Sequence, residues 1–245
     1  MSAWTITMLD TGTQTVDKSI ITYLTDMGRE IQIPVTVALI QGNQTILVDT
    51  SFLSVERTWE IRRRKIGRTP AQGLTAALAS VGVRPEDVEI VIHTHLHYDH
   101  AGNNQLFPRA RFLVQREELR YALAPTTFDA TAYFAPSLGI TPDYLGTKFE
   151  LLDGDAEIAE GVRVITTPGH TPGHQSVLVE TTAGRYCVAG DAVDQYENLQ
   201  RRIPPGVHTN VIDCVASLER IAREAHSVLP AHEPKVFQRQ PARFP

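Results

Sequence analysis

Apolar residues fall in short, regularly spaced runs over the first fifty positions, where WTITML, IPVTVALI and TILVDT read as strands. The polar QGNQ between the last two predicts a hairpin with a short loop. From Val55 to Lys65 the chain is charged with helical character, and RRRK at 62–65 reads as a solvated helix face. In TPAQGLTAALASVGV, Leu74, Ala77, Leu78 and Val81 recur at i, i+3, i+4 and i+7 ahead of Gly82, which predicts a helix packed on a sheet. Val88 to Ile92 reads as a buried strand that ends in a histidine-dense loop. RFLVQ is a further strand, and REELRYAL begins a helix that Pro125 closes. Between Pro125 and Lys148 the text turns to Pro, Thr, Gly and the aromatics Phe128, Tyr133, Phe134 and Tyr144, read here as a long excursion over the core whose aromatics either line an apolar pocket as a substrate-covering lid or form a small core of their own. VRVITT, SVLVET and RYCVAGD are strands, and Val211 to Ala225 is an amphipathic helix. Strand, polar loop, strand and helix thus occur twice, as a layered α/β sandwich requires.

The 245 residues, 42% hydrophobic and 21% charged, suit one globular core and exclude disorder or a coiled coil. A net charge of −5 provides no global positive field, so nucleic acid is not an expected partner. No apolar run reaches the roughly 18 residues of a membrane span, and MSAWTITMLD lacks the basic start and apolar stretch of a leader. A soluble, cytoplasmic protein without a membrane partner is expected. Cys187 and Cys214 make no disulfide framework and no CxxC pair, and both read as reduced and buried.

Four of the nine histidines fall in HTHLHYDH, residues 93–100. His95, His97, Asp99 and His100 place four coordinating groups within six residues, for which packing offers no rationale. In an extended loop His95 and His97 point the same way and can share one cation, while Asp99 and His100 point apart and can reach a second. Imidazoles and a carboxylate without thiolates favour Zn²⁺, Fe or Mn over a structural Cys₄ zinc site. Later strand ends offer more ligands: His170 on the turn made by Pro168 and Gly169, Asp191 in VAGDAV, whose carboxylate can bridge two metals, and His232 in VLPAHEP. Each follows a predicted strand, where open α/β sheets place their ligand crevice. His93 reads as a strand-end residue behind the ligands, and His174 as a brace for the His170 turn.

At these residues the chain resembles the metallo-β-lactamase superfamily, and within it the N-acyl homoserine lactonase-like branch. LVDT at 47–50, HTHLHYDHAGNN, TPGHTPGHQSVLVET, GDA and a final histidine occur in order over nearly the whole chain. The resemblance implies an α/β fold of the four-layer αβ/βα sandwich type. One domain is expected over 1–245, with a substrate-covering insertion at about 125–148. The resemblance further implies that His95, His97 and His170 hold one metal, that Asp99, His100 and His232 hold the other, and that Asp191 bridges them with Asp49 behind. Ser51 stands where such chains often have glycine. Lactonases of this type resemble one another in a tyrosine shortly after the bridging aspartate; Asp194 takes the nearest slot here, and Tyr196 lies two residues on.

The expectation is a dinuclear metal-dependent hydrolase, holding two divalent ions such as Zn²⁺, that opens a lactone ring on a small-molecule substrate. Hydroxide formed on the metal pair attacks the carbonyl, Asp99 shuttles a proton to the leaving oxygen, and Tyr196 donates a hydrogen bond worth about 3 kcal/mol to the developing oxyanion. The same residues also admit another ester, amide or thioester hydrolase, an iron-dependent relative acting on oxygen, or a metal-dependent binding protein. Oligomeric state is not legible.

Overall fold

The computed structural model describes residues 4–238 and 241–245; of the opening segment judged above for a leader, residues 1–3 lie outside them. The amino-terminal half holds β1 (Thr5–Asp17), β2 (Glu30–Gln41), β3 (Thr45–Val48), α1 (Val55–Arg62), β4 (Lys65–Gly67), α2 (Leu74–Ser80), β5 (Ile90–Ile92), β6 (Arg111–Gln115) and α3 (Arg116–Leu123). There follow β7 (Phe149–Leu152), β8 (Ala156–Ala159), β9 (Val162–Thr166), β10 (Gln175–Thr181), β11 (Gly184–Val188), α4 (Tyr196–Arg201), α5 (Val211–Glu224), β12 (Ser227–Leu229) and β13 (Arg243–Phe244). One sheet runs β13-β1-β2-β3-β5-β6-β7 with β4 on β1, and the second runs β12-β11-β10-β9-β8.

Alternation of side chains along the strands creates the layers. Ala38, Ile40, Ile46, Val48, Ile90 and Ile92 face the second sheet and meet Val162, Val164, Val177 and Val179. Their neighbours Val37, Leu39, Leu47 and Val91 face outward onto Leu74, Ala77 and Leu78 of α2. On the far side, Ile165, Leu178 and Cys187 meet Leu218 and Ile221 of α5, whose Asn210 cap accepts from the backbone of Ile212 and Asp213. The result is four layers, helix, sheet, sheet and helix, as expected. Trp4 pins the two sheets together: its ring is 3% exposed, Nε1 donates to the Glu160 carbonyl at 2.8 Å, and it packs on Gly42 and Gly161, where a β-carbon would strike the indole.

Two expectations change. RRRK is not a helical face: α1 ends at Arg62, Arg63 takes the left-handed conformation, and Lys65 starts β4 against β1. Residues 125–148 carry no apolar lining of aromatics for the cavity described below. Tyr133 and Tyr144 pack with Leu96, Ala101, Val114 and Ala122 in a small core of their own, Phe134 stacks on Tyr98, and Phe128 is 69% exposed. Cys187 and Cys214 are unpaired and buried. No helix among the described residues is long and apolar enough to cross a membrane.

Candidate metal centre

Strand ends bring the candidate ligands together. β3, β5 and β6 run parallel, as do β11 and β12, so Asp49, the HTHLHYDH loop, Asp191 and His232 all leave their strands at one rim. The loop is a turn more than an extended segment. His100 and Ala101 donate backbone hydrogen bonds to the His97 carbonyl, and this reversal brings the His100 ring to 4.1 Å from that of His95. At the second loop Gly169 has φ 130°, and a β-carbon there would strike the backbone of Cys214 at the start of α5. The Gly169 carbonyl accepts from the backbone of Thr209 and Asn210, which locks the turn carrying His170.

One carboxylate sets the orientation of two rings. Asp49 accepts from the Thr94 amide, the Thr94 hydroxyl and His100 Nδ1, each at 2.8 Å. Because the Thr94 hydroxyl donates to Asp49, it accepts from His95 Nδ1 at 3.0 Å. His170 Nδ1 donates to the Val207 carbonyl and His232 Nδ1 to the Pro34 carbonyl, both at 2.8 Å. All four rings therefore turn Nε2 inward, toward Asp191. His97 is reversed: Nδ1 lies 3.1 Å from His170 Nε2, and Nε2 lies 3.6 Å from Asp129 Oδ1.

Asp191 sits between two groups of rings. Oδ2 lies 3.4 Å from His170 Nε2 and 3.9 Å from His95 Nε2, while Oδ1 lies 3.2 Å from His100 Nε2 and 3.4 Å from His232 Nε2. Potential ligand atoms lie within 4.8 Å of one another in the sets His95, His97, His170; His95, His100, Asp191; and Asp99, His100, His232. His95 Nε2, His100 Nε2 and Asp191 Oδ1 are buried without a hydrogen-bond partner. Such atoms are costly to bury unless something satisfies them, and a donor set of imidazoles and carboxylates suits two divalent cations. The residues present fit the metal pair that the fold implies.

Electrostatics divide the rings: burial lowers His100 and His232, but the fields of Asp191 and the neighbouring aspartates outweigh it, holding His100 well above its ordinary range and raising His232 to about 9, so a cation would have to displace a proton from each. Burial drives His95 well below its ordinary range and His170 down to about 4, so both rings are neutral lone-pair donors. Burial pushes Asp191 up, but the fields of His100 and His232 and the hydrogen bond from His100 outweigh it and hold the carboxyl well below its usual range. Asp49, likewise pushed up by burial, is pulled down to about 2, chiefly by the charge and hydrogen bond of His100.

Around this cluster lie residues with no motif to announce them. Gln14 of β1 donates from Nε2 to Asp99 Oδ2 at 2.6 Å, and the Tyr98 hydroxyl donates to Gln14 Oε1 at 2.8 Å, so the amide is held in one orientation. Glu118 of α3 accepts from the Leu96 amide at 2.9 Å, the Tyr133 hydroxyl at 2.9 Å and the Thr171 hydroxyl at 2.6 Å. It ties the two histidine loops and the 125–148 segment to one carboxylate. His93 Nδ1 stands 3.6 Å from Asp49, beyond hydrogen-bond reach, with neither ring nitrogen partnered, and His174 Nδ1 pairs with the Thr167 hydroxyl at 2.9 Å across the loop that carries His170.

Tyr196 requires correction. It opens α4, donates its amide to Glu233 at 3.0 Å, and lays its half-buried ring against the core between the sheets. It does not line the cavity over the cluster; Asp194, three residues after Asp191, does. That cavity has an apolar wall from Val16, Ile20, Ile21 and Ile33, with Arg62 and Arg64 on another side. Ala132 is the contribution of the 125–148 segment.

Comparison with known proteins bears on this arrangement. A family model described as the metallo-beta-lactamase superfamily matches residues 31–232. An N-acyl homoserine lactonase of Bacillus cereus is 30% identical over 201 residues, covering 77% of this chain and 76% of its own length. N-acyl homoserine lactonase AttM of Agrobacterium fabrum is 31% identical over 177 residues, or 68% of this chain and 66% of its own. A solved structure of an N-acyl homoserine lactone hydrolase, with the product N-hexanoyl-L-homoserine bound at its catalytic metal center, superposes with a TM-score of 0.82 at 25% identity. It covers 97% of this chain and 96% of that one. With its candidate ligands gathered at one rim of a four-layer sandwich, the chain belongs to the metallo-beta-lactamase superfamily.

Proposed function

We propose that the protein is a dinuclear metal-dependent hydrolase that opens the ring of an N-acyl homoserine lactone or a close analogue. The division of the two Asp191 oxygens between different imidazole pairs carries this reading, because a carboxylate so placed can span two cations. His95, His97 and His170 would hold one, Asp99, His100 and His232 the other, and zinc is the metal the donor set favours. Bound there, the pair supplies Lewis acidity that polarises an ester carbonyl and acidifies a water molecule.

The chain's own groups do the rest. Gln14 pins Asp99 Oδ2, leaving Oδ1 as the atom that can take up a proton and pass it to the alkoxide of the opened ring. Val16, Ile21 and Ile33 offer an apolar wall for an acyl chain. Residues 125–148 cover one flank of the site, where Ala132 reaches the cavity and Asp129 faces His97. Cys187 and Cys214, free and buried, suit a reducing compartment, which supports a cytoplasmic location.

The test is hydrolysis followed by proton release across acyl-homoserine lactones, simple γ-lactones, aromatic lactones and thioesters, with metal content measured on the same sample. Acyl-homoserine lactones are expected to be turned over fastest. Metal-loaded protein that hydrolyses thioesters and leaves every lactone intact would sink the assignment.

A further inference from the structure

Three carboxylates, not two, point into the region that holds His232. Asp194 follows the short turn Gly190–Ala192, and its position is set by backbone pairing between the segments that leave β11 and β12. Ala231 donates its amide to Val193 at 3.1 Å, and His232 donates to Asp194 at 2.9 Å. These two bonds hold Asp194 and His232 side by side. The Asp194 side chain is 3% exposed, and its Oδ1 is buried without a hydrogen-bond partner. Asp191 Oδ1 shares that condition, whereas the buried carboxylates behind the rim are well supplied: Asp49 and Glu118 each accept from three donors. Ligand atoms of Asp191, Asp194 and His232 lie within 4.8 Å of one another, and Asp194 lines the same cavity as Asp99.

We propose that Asp194 is an additional oxygen ligand for the cation held by Asp99, His100 and His232, which makes that pocket richer in oxygen than its three-imidazole neighbour. The inference rests on the dinuclear reading above. A carboxylate without donors gains most from a cation within reach, since a cation satisfies the lone pairs that no N–H or O–H meets. The two pockets then differ in chemistry. Three imidazoles suit zinc, whereas carboxylates beside two imidazoles raise the relative preference for a harder ion such as Mn²⁺.

The experiment compares the metal-free full-length chain with its Asp194→Asn and Asp194→Ser variants in titrations with Zn²⁺ and Mn²⁺, followed by metal analysis and Mn²⁺ paramagnetic resonance. Wild type is expected to bind two equivalents. Each variant should keep one tight equivalent and lose about tenfold or more in affinity for the other, with Mn²⁺ weakened more than Zn²⁺. Asn matches the shape of Asp and removes like charge, so metal-free Asp194→Asn should unfold at or above the wild-type temperature, and Ser serves if it does not. Two equivalents bound by the variants with affinities within twofold of wild type overturn the proposal while leaving the dinuclear reading intact. Wild type that takes up no cation overturns both.

Discussion

Asp191 presents one oxygen to His95 and His170 and the other to His100 and His232, so its loss acts on both pockets at once. Asp191→Ala, and likewise His97→Ala, is expected to reduce metal content and kcat/KM together, the latter by well over tenfold; metal analysis beside steady-state kinetics checks this, and full activity in either variant refutes the ligand set. Tyr196→Phe should leave kcat/KM within about twofold, because its ring lies in the core and not on the cavity. A fall of a hundredfold or more, the range for a lost oxyanion donor, would restore Tyr196 to the chemistry. The expected ligands were readable because HTHLHYDH is local and the others follow apolar runs that form strands. Gln14 was not: it meets Asp99 85 residues away, and in sequence it is one polar position in an alternating strand. Glu118 reads as one more acid on an exposed helix, yet it is fully buried. Asp194 did leave a trace, as a second acid three residues after Asp191, but spacing alone could not tell which way it faced.

Short elements depend on their neighbours. α4 spans six residues and is fastened to the end of β1 through Lys18, whose ammonium lies 2.5 Å from Glu197 Oε2 and donates to Gln195 Oε1 at 3.0 Å. The hydrogen bond from Lys18, aided by those from Arg201 and Thr22, holds the Glu197 carboxyl at about 2, below its ordinary value of 4.5. A depressed folded-state value means that the stabilisation is fully present above about pH 4.5 and is lost as the pH falls toward 2. Thermal unfolding of wild type and Glu197→Gln should therefore differ most near neutral pH and converge as the pH approaches 2. A gap that widens on acidification contradicts the pairing. Elements with a full period, such as β2, α2 and α5, were legible from the pattern of their side chains. β4, β7, β8, β13 and α4 were not, since in each a few apolar residues are broken up by charged or polar ones, leaving neither an apolar run nor a period to read. Their conformation comes from pairing with strands or packing against helices already in place.

Across the whole molecule, the rim draws buried acids and imidazoles from stretches of chain that are far apart in sequence. Cations shared among those stretches should stabilise the assembled fold. Stripping metal with a chelator is expected to lower Tm by roughly 10 °C, taking ligand at about a thousand times its Kd and two to four degrees per kcal/mol for a chain of this size. Calorimetry with and without added Zn²⁺ measures it, and an unchanged Tm denies the site any part in stability. The layered architecture was legible because strand, loop, strand and helix recur twice. The cavity's cationic side was not, because it depends on α1 stopping at Arg62 and turning Arg64 inward. The chain has two tryptophans, and they stand in opposite surroundings: Trp4 is clamped between the sheets, whereas Trp59 is 48% exposed on α1. Intrinsic fluorescence is thus a built-in gauge. In a Trp59→Phe background the emission of the remaining indole should stay blue-shifted through loosening at the metal rim and redden only when the two sheets part.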